Sequence, residues 1–272
     1  MTLAKNILWS PAEYAAAAVI AREAGEEMLA RLELMTLKPN VIVDAGCGTG
    51  ELSAQLQSRY QDAYILTIDT SETMLRHLQD CLPQCGRGIV CAKAEKMPLR
   101  DQSVDLVFAN LLLPWCHDIT SMLQEWRRIL RPDGLLMLSA FGLDTLREWS
   151  EIFQDTEIPQ LIDMHDIGDL LLQEGFVDPV LDVNHYTTTY REKNQLIHEL
   201  RASGMWFPQD QHQAEQVTVS DAFPPDDALV VTYEVIQAHA FAPVISEEIS
   251  ASADGVVRVP LAHLRQRLRA KG

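Results

Sequence analysis

Two acids and three alternating glycines carry most of the chemical information in this sequence. In VIVDAGCGTG, Val41–Gly50, a β-branched run ends in Asp44, and Gly46, Gly48 and Gly50 follow at every second position. In YILTID, Tyr64–Asp69, a second apolar run is closed by Asp69. Glycine is needed where the backbone turns sharply or lies against a ligand, because a Cβ blocks both. The helix-like run ELSAQLQSRY starts at Glu51, so its first N–H groups face the turn. A dinucleotide site wants G-x-G-x-x-G. Here the third glycine comes one residue early and Glu51 stands in the glycine's place. Asp44 opposes a pyrophosphate but suits a ligand with a cationic end. Asp69, at the carboxyl edge beside the turn, can accept from both hydroxyls of a ribose. Packing glycines and a helix-capping acid are the plainer alternatives, and the pairing of the two signals weighs against them.

The surrounding pattern places these residues. Ser10-Pro11 opens one long helix over 11–35, with Tyr14 and Arg22 among its polar groups. Strands are expected at 41–45, 64–69, 88–91, 104–110 and 134–141, alternating with helices at 51–60, 71–81 and 119–130, and Thr70 or Ser71 caps the second of these helices. This alternation predicts a doubly wound α/β sheet, whose ligands bind at the carboxyl ends of the strands. Asp44, Asp69, Glu95, Asn110 and the 141–147 loop all fall on that edge. Beyond 141 the pattern gives a short helix with Arg147 and Trp149, a helix over 165–174 begun by His165 and Asp166, a strand over 179–190, and a helix over 191–203. A polar irregular stretch to 227, a strand over 229–240 and a short basic helix at 261–271 follow.

The 272 residues, 47% of them hydrophobic, allow one large domain, and a net charge of -17 argues against non-specific nucleic-acid binding. Cys47, Cys81, Cys85, Cys91 and Cys116 lack CxxC or zinc spacing, so free thiols in a cytoplasmic protein and no metal site are expected. No signal peptide or membrane-length apolar run is visible.

D-x-G-x-G-x-G followed by Asp69 resembles the first motifs of the class I S-adenosylmethionine methyltransferases. The segments DAGCGTG, AEKMPL, VDLVFANLLLPWCHD, LRPDGLLMLSAFGLDTLRE and IDMHDIGDLLLQEGFVDPV narrow the likeness. Together they resemble the malonyl-[acyl-carrier protein] O-methyltransferases of biotin synthesis over roughly residues 11–240. NLLLPW and FGLDTLREW are the most specific of these segments.

The resemblance implies a Rossmann-like class I sheet, mostly parallel with its last strand antiparallel. A methyltransferase domain over 1–240 would hold the helix 11–35, a core at 40–141 and a lid with closing strands at 142–240, and 241–272 would be an extension. It implies S-adenosylmethionine as cofactor, S-adenosylhomocysteine as product, and a malonyl thioester on acyl carrier protein, or malonyl-CoA, as acceptor. Asp44, Gly46, Gly48 and Gly50 would border the methionine end, with Arg22 reaching its carboxylate. Asp69 would take the ribose, Thr70, Met74, Ala94 and Glu95 would lie about the adenine, and Asn110 and Leu111 would floor the sulfonium. Many relatives carry an acid where Lys93 stands, which leaves adenine recognition to backbone groups or Glu95.

A carboxylate nucleophile is ionised at pH 7 and needs no general base. Arg147 is therefore expected to hold the substrate carboxylate, with Tyr14 and Trp115 as walls over the reacting methyl. An acidic carrier protein would need a local basic patch: Arg127, Arg128 and Arg131, or Arg191 and Lys193, or the C-terminal arginines. The same segments also resemble a complex I assembly factor assigned as a protein arginine hydroxylase. A small-molecule methyltransferase and a non-catalytic assembly protein are the further alternatives.

Overall fold

The computed structural model describes residues 10–83, 88–149, 160–206 and 229–244. By backbone contacts the chain divides into Met1–Ala242 and Pro243–Gly272, and every element below belongs to the first unit. The predicted basic helix at 261–271, the stretch 207–228 and residues 150–159 lie outside the described residues.

Seven strands form one sheet in the order β3-β2-β1-β4-β5-β7-β6. β1 (Val41–Ala45), β2 (Tyr64–Asp69), β3 (Ile89–Cys91), β4 (Val104–Ala109) and β5 (Leu130–Phe141) run parallel. β7 (Leu229–Phe241) is antiparallel to both β5 and β6 (Val177–Tyr190). The central strands are near-continuous apolar runs because helices cover both of their faces. On one face Met28, Leu29 and Leu32 of α2 (Val19–Leu32) pack with Ile42, Phe108 and Met137. On the other, Met122, Leu123, Trp126 and Ile129 of α5 (Ile119–Ile129) pack with Val43, Val107 and Leu138. The sheet order reverses between β1 and β4, which opens a crevice at their carboxyl ends.

α3 (Glu51–Arg59) follows β1, and α4 (Glu72–Cys81) follows β2 with Ser71 accepting from the Met74 N–H as N-cap. α6 (Met164–Gln173) starts at Asp163, whose side chain accepts from the His165 N–H, so His165 opens a structural helix. α7 (Lys193–Ala202) joins β6 to β7. Pro179 is tolerated in β6 because that strand is an edge and its register slips between Val177 and Val180.

The N-terminal helix departs from the expectation of one element. It is two: α1 (Pro11–Ala17) and α2, broken at Ala18, where ψ reaches 45°. The Arg22 guanidinium donates to the freed Ala15 carbonyl at 2.9 Å. A cation at the last turn of α1 also opposes the negative end of its dipole. The bend sets α1 across the carboxyl edge of the sheet and lays Tyr14 beside the glycine turn.

Candidate active site

Gly46, Gly48 and Gly50 all have positive φ, at 71°, 52° and 85°. A side chain at any of them would be strained. At Gly46 a Cβ would also lie 2.7 Å from the Leu112 side chain. The turn is tied to β2: the Gly46 and Cys47 N–H groups donate to the Ile68 carbonyl, and the Gly48 N–H donates to Asp69 Oδ2 at 3.0 Å. Asp69 Oδ1 accepts from the Ser71 N–H at 2.8 Å. Asp69 is thereby aimed along the edge, with a lone pair on each oxygen left for a ligand. Burial raises its pKa against those backbone donors.

Asp44 is 2% exposed, and its Oδ2 accepts from the Ser53 hydroxyl of α3. Burial pushes its pKa up to about 7; the Asp69 charge adds to the rise, and Ser53 opposes it. An acid held this way gains most from a cationic neighbour. Asp44, Gly46, Arg22 and Asn110 line one part of the crevice. Arg22 also meets Glu51 there, at 3.5 Å.

Asp69, Thr70, Met74, Ala94 and Glu95 line a larger cleft of about 1060 Å³, partly open to solvent. Lys93 and His117 are on the same wall. Glu95 Oε1 accepts from the His117 N–H at 2.9 Å, so the carboxylate bridges two loops of the rim. At the floor, Leu111 is held at φ 49°, a conformation that costs a non-glycine residue energy and persists only when the surroundings enforce it. The enforcer is Ser139, fully buried in β5. It accepts from the Leu111 N–H at 2.8 Å and donates to Asn110 Oδ1 at 2.7 Å, while Asn110 Nδ2 donates to the Ala21 carbonyl at 2.7 Å. Ser139→Ala orphans a buried N–H, so it should cost about 1–3 kcal/mol of stability in chemical unfolding and weaken cofactor binding with it.

A second cavity, of about 850 Å³ and partly open to solvent, lies between the α1–α2 bend, α7 and the ends of β5, β6 and β7. Its apolar lining includes Ala17, Val19, Leu111, Trp115 and Phe141, and its polar lining Thr188, Tyr190, Tyr233, Gln195, Glu199 and Ser203. Leu111 and Trp115 also line the cleft, and Tyr14 lines all three spaces. Burial, with the charges of Asp69 and Glu51, pushes the Tyr14 phenol up to about 12. Near neutral pH it stays protonated and does not act as a base.

The structure therefore brings together Tyr14, Arg22, Asp44, the three glycines, Asp69, Thr70, Met74, Ala94, Glu95, Asn110, Leu111 and Trp115. It does not bring Arg147 to them. Arg147 sits in a 3-10 turn, Arg147–Trp149, paired to Asp144 at 3.2 Å and to Glu148 at 3.6 Å. Asp144 in turn lies 3.8 Å from His185, which stands opposite Glu234 in the β6–β7 ladder. Alternation puts that pair on the sheet face away from Tyr233, a cavity residue. No lysine or arginine lines the second cavity among the described residues. Sequence reasoning missed the Tyr190, Tyr233 and Glu199 group and the brace at Ser139. The Thr187–Thr189 run and the lone hydroxyl in the apolar LLMLSAF were the available signals.

The arrangement suits two ligands that meet at Tyr14, Leu111 and Trp115. One has a cationic end and a diol; the other reaches the junction through an apolar channel with polar donors. A family of methyltransferase domains matches residues 43–138. A malonyl-[acyl-carrier protein] O-methyltransferase from Methylovorus sp. is 38% identical over 85% of this chain and 84% of its own length. One from Halorhodospira halophila is 32% identical over 96% of this chain and 93% of its own. Among solved structures, a methyltransferase from Bacillus halodurans superposes with a TM-score of 0.62 over 80% of this chain and all of its own, at 16% identity, a likeness of fold.

Proposed function

The chain belongs to the malonyl-[acyl-carrier protein] O-methyltransferase family, and on that premise we propose that it methylates the free carboxylate of a malonyl thioester carried on acyl carrier protein. The observation that carries the reading is the junction at Tyr14, which lines the space holding Asp44, the cleft holding Asp69 and the second cavity alike. S-adenosylmethionine, when bound, supplies a methyl group on a sulfonium and leaves as S-adenosylhomocysteine.

The residues present fit that donor. Asp44 offers a buried acid to its cationic end, and Asp69 offers free lone pairs to its ribose. At Gly46 and Gly48 the glycine turn brings bare backbone to the wall of the cleft, with no Cβ between it and a ligand. Met74, Ala94 and Glu95 fit the adenine, and Asn110 and Leu111, fixed by Ser139, form the floor.

The acceptor carboxylate arrives ionised, so no residue has to remove a proton. The protein's work is positioning and exclusion of water. Trp115, Leu111 and Phe141 make the wall. Tyr14, protonated at neutral pH, is a neutral donor for the carboxylate at the junction. Neutral donors keep the oxygen nucleophilic, whereas a bidentate arginine would hold it tightly in the ground state. The methyl ester that results carries no charge, so a later apolar acyl pocket can take it without burying a carboxylate.

With Arg147 on the far face, Arg147→Ala should leave kcat/KM for the malonyl thioester within about threefold of wild type, as expected for an exposed ion pair. The curated relatives do not favour the hydroxylase or small-molecule alternatives. The deciding experiment is methyl transfer with purified protein, S-adenosylmethionine and malonyl-acyl carrier protein, read by product mass. Gain of one methyl on the malonyl group, and none on an acetyl carrier, is expected. Cofactor binding without transfer to any malonyl thioester would overturn the reading.

A further inference from the structure

We propose that Thr188, Tyr190, Tyr233 and Glu199, which line the second cavity, select an acceptor whose other end is a neutral carbonyl and reject one that ends in a second carboxylate. The proposal rests on the carboxyl-methyltransferase reading and names the residues that set its acceptor class.

The group comes from three elements. Thr188 and Tyr190 stand two apart on β6 and so face one side of the sheet. Tyr233 of β7 pairs with Tyr186 across the ladder, which puts it on that same side. Glu199 belongs to α7, where Gln195 Nε2 donates to its Oε1 at 3.0 Å. The two phenol rings are packed in: Tyr190 and Tyr233 are 6% and 4% exposed, and the Tyr233 ring centre lies 6.2 Å from that of Phe141, another residue of the cavity lining. Burial, and after it Glu199, holds the Tyr190 phenol above its ordinary pKa. Burial and Tyr190 do the same for Tyr233, with Glu199 adding to the rise. Both phenols therefore keep their protons at neutral pH and can donate. Thr188 Oγ1 is buried beside them with no hydrogen bond of ordinary length among the described residues. A buried hydroxyl left this way costs stability until a ligand or a water pairs with it.

The charge balance decides what that ligand is. Among the described residues Glu199 is the one acid lining the cavity, and no lysine, arginine or histidine lines it. A malonyl thioester brings one carboxylate, which goes to the junction at Tyr14, and its other end is an uncharged carbonyl. That oxygen accepts from a hydroxyl with no charge buried. Free malonate would bring a second carboxylate into a cavity that already holds Glu199, with no cation to offset its desolvation.

The test compares the N-acetylcysteamine thioester of malonate, whose other end is neutral, with free malonate. Wild type should favour the thioester in kcat/KM by about a hundredfold or more. Glu199→Gln keeps the shape and removes the charge, so it should raise kcat/KM for malonate about tenfold and narrow the preference to match. Tyr233→Phe keeps the ring and removes a donor, so it should raise KM for the thioester about fivefold to tenfold with a smaller change in kcat. Both variants should bind S-adenosylhomocysteine within about twofold of wild type, which shows that they are folded. Equal preference in wild type, no gain on malonate in Glu199→Gln, or an effect of Tyr233→Phe on kcat alone would each overturn the selectivity. Calorimetric binding of the same two acceptors to the S-adenosylhomocysteine complex separates this proposal from the reaction it rests on. Tighter binding of the thioester, narrowed by Glu199→Gln, with no methyl transferred to it, would overturn the reaction and leave the selectivity standing.

Discussion

Asp69→Ala should weaken S-adenosylmethionine binding by about a hundredfold or more, measured by calorimetry. Two hydrogen bonds from ribose hydroxyls to a carboxylate contribute about 1.5–3 kcal/mol each, and a loss of about 3 kcal/mol is already more than a hundredfold in Kd. The side chain also accepts from the Gly48 and Ser71 N–H groups, so its removal loosens the glycine turn as well. Asp69→Asn separates the two contributions. The amide keeps one acceptor for the backbone but presents an N–H₂ to the other donor and to the ribose. It should lose most of the affinity with a smaller drop in thermal stability than Asp69→Ala. If Asp69→Ala binds within about threefold of wild type, the diol is not held here and the assignment of the larger cleft to adenosine falls.

The parts of the site that follow from local rules were legible in the sequence. β2 ends at Asp69 because an acid closes an apolar β-branched run, and three positive-φ positions coincide with three glycines because little else can occupy them. Ser71 caps α4 as its type and place require. The break at Ala18 was not legible. It falls in a run of alanines, the strongest helix formers, and is imposed by α1 turning over the sheet edge and by Arg22 reaching back to Ala15. Arg147 was misplaced for a related reason. Sequence order put it just after the functional edge, but the loop from Gly142 bonds along β7, with the Gly142 N–H on the Glu234 carbonyl and the Leu146 N–H on the Thr232 carbonyl. That path carries Arg147 to the face where Asp144 and Glu148 wait. The polar lining of the second cavity is assembled from β6, β7 and α7, elements far apart in sequence that share no motif.

Cofactor binding should be coupled to loss of a proton near neutral pH, with Asp44 as its source. Burial holds its pKa at about 7 in the cofactor-free protein, well above the usual 3.8. A cationic ligand beside it favours the ionised form and lowers that pKa. Affinity should therefore fall as pH drops through about 7, being about tenfold weaker at pH 6 than at pH 8. Calorimetry in two buffers of different ionisation enthalpy should register the released proton. The stability of the cofactor-free protein runs the opposite way. An acid whose folded pKa is raised binds its proton more tightly in the folded state, so its contribution falls as pH rises from about 4 toward about 7. Asp69, also raised by burial, adds in the same direction. Asp44→Asn, which stays neutral and can still accept from Ser53, should stabilise the cofactor-free protein at pH 8, bind cofactor weakly at every pH, and release no proton. Binding that is flat from pH 6 to 8 in wild type, or a pH dependence that survives in Asp44→Asn, would show that the cationic end of the cofactor does not rest on Asp44.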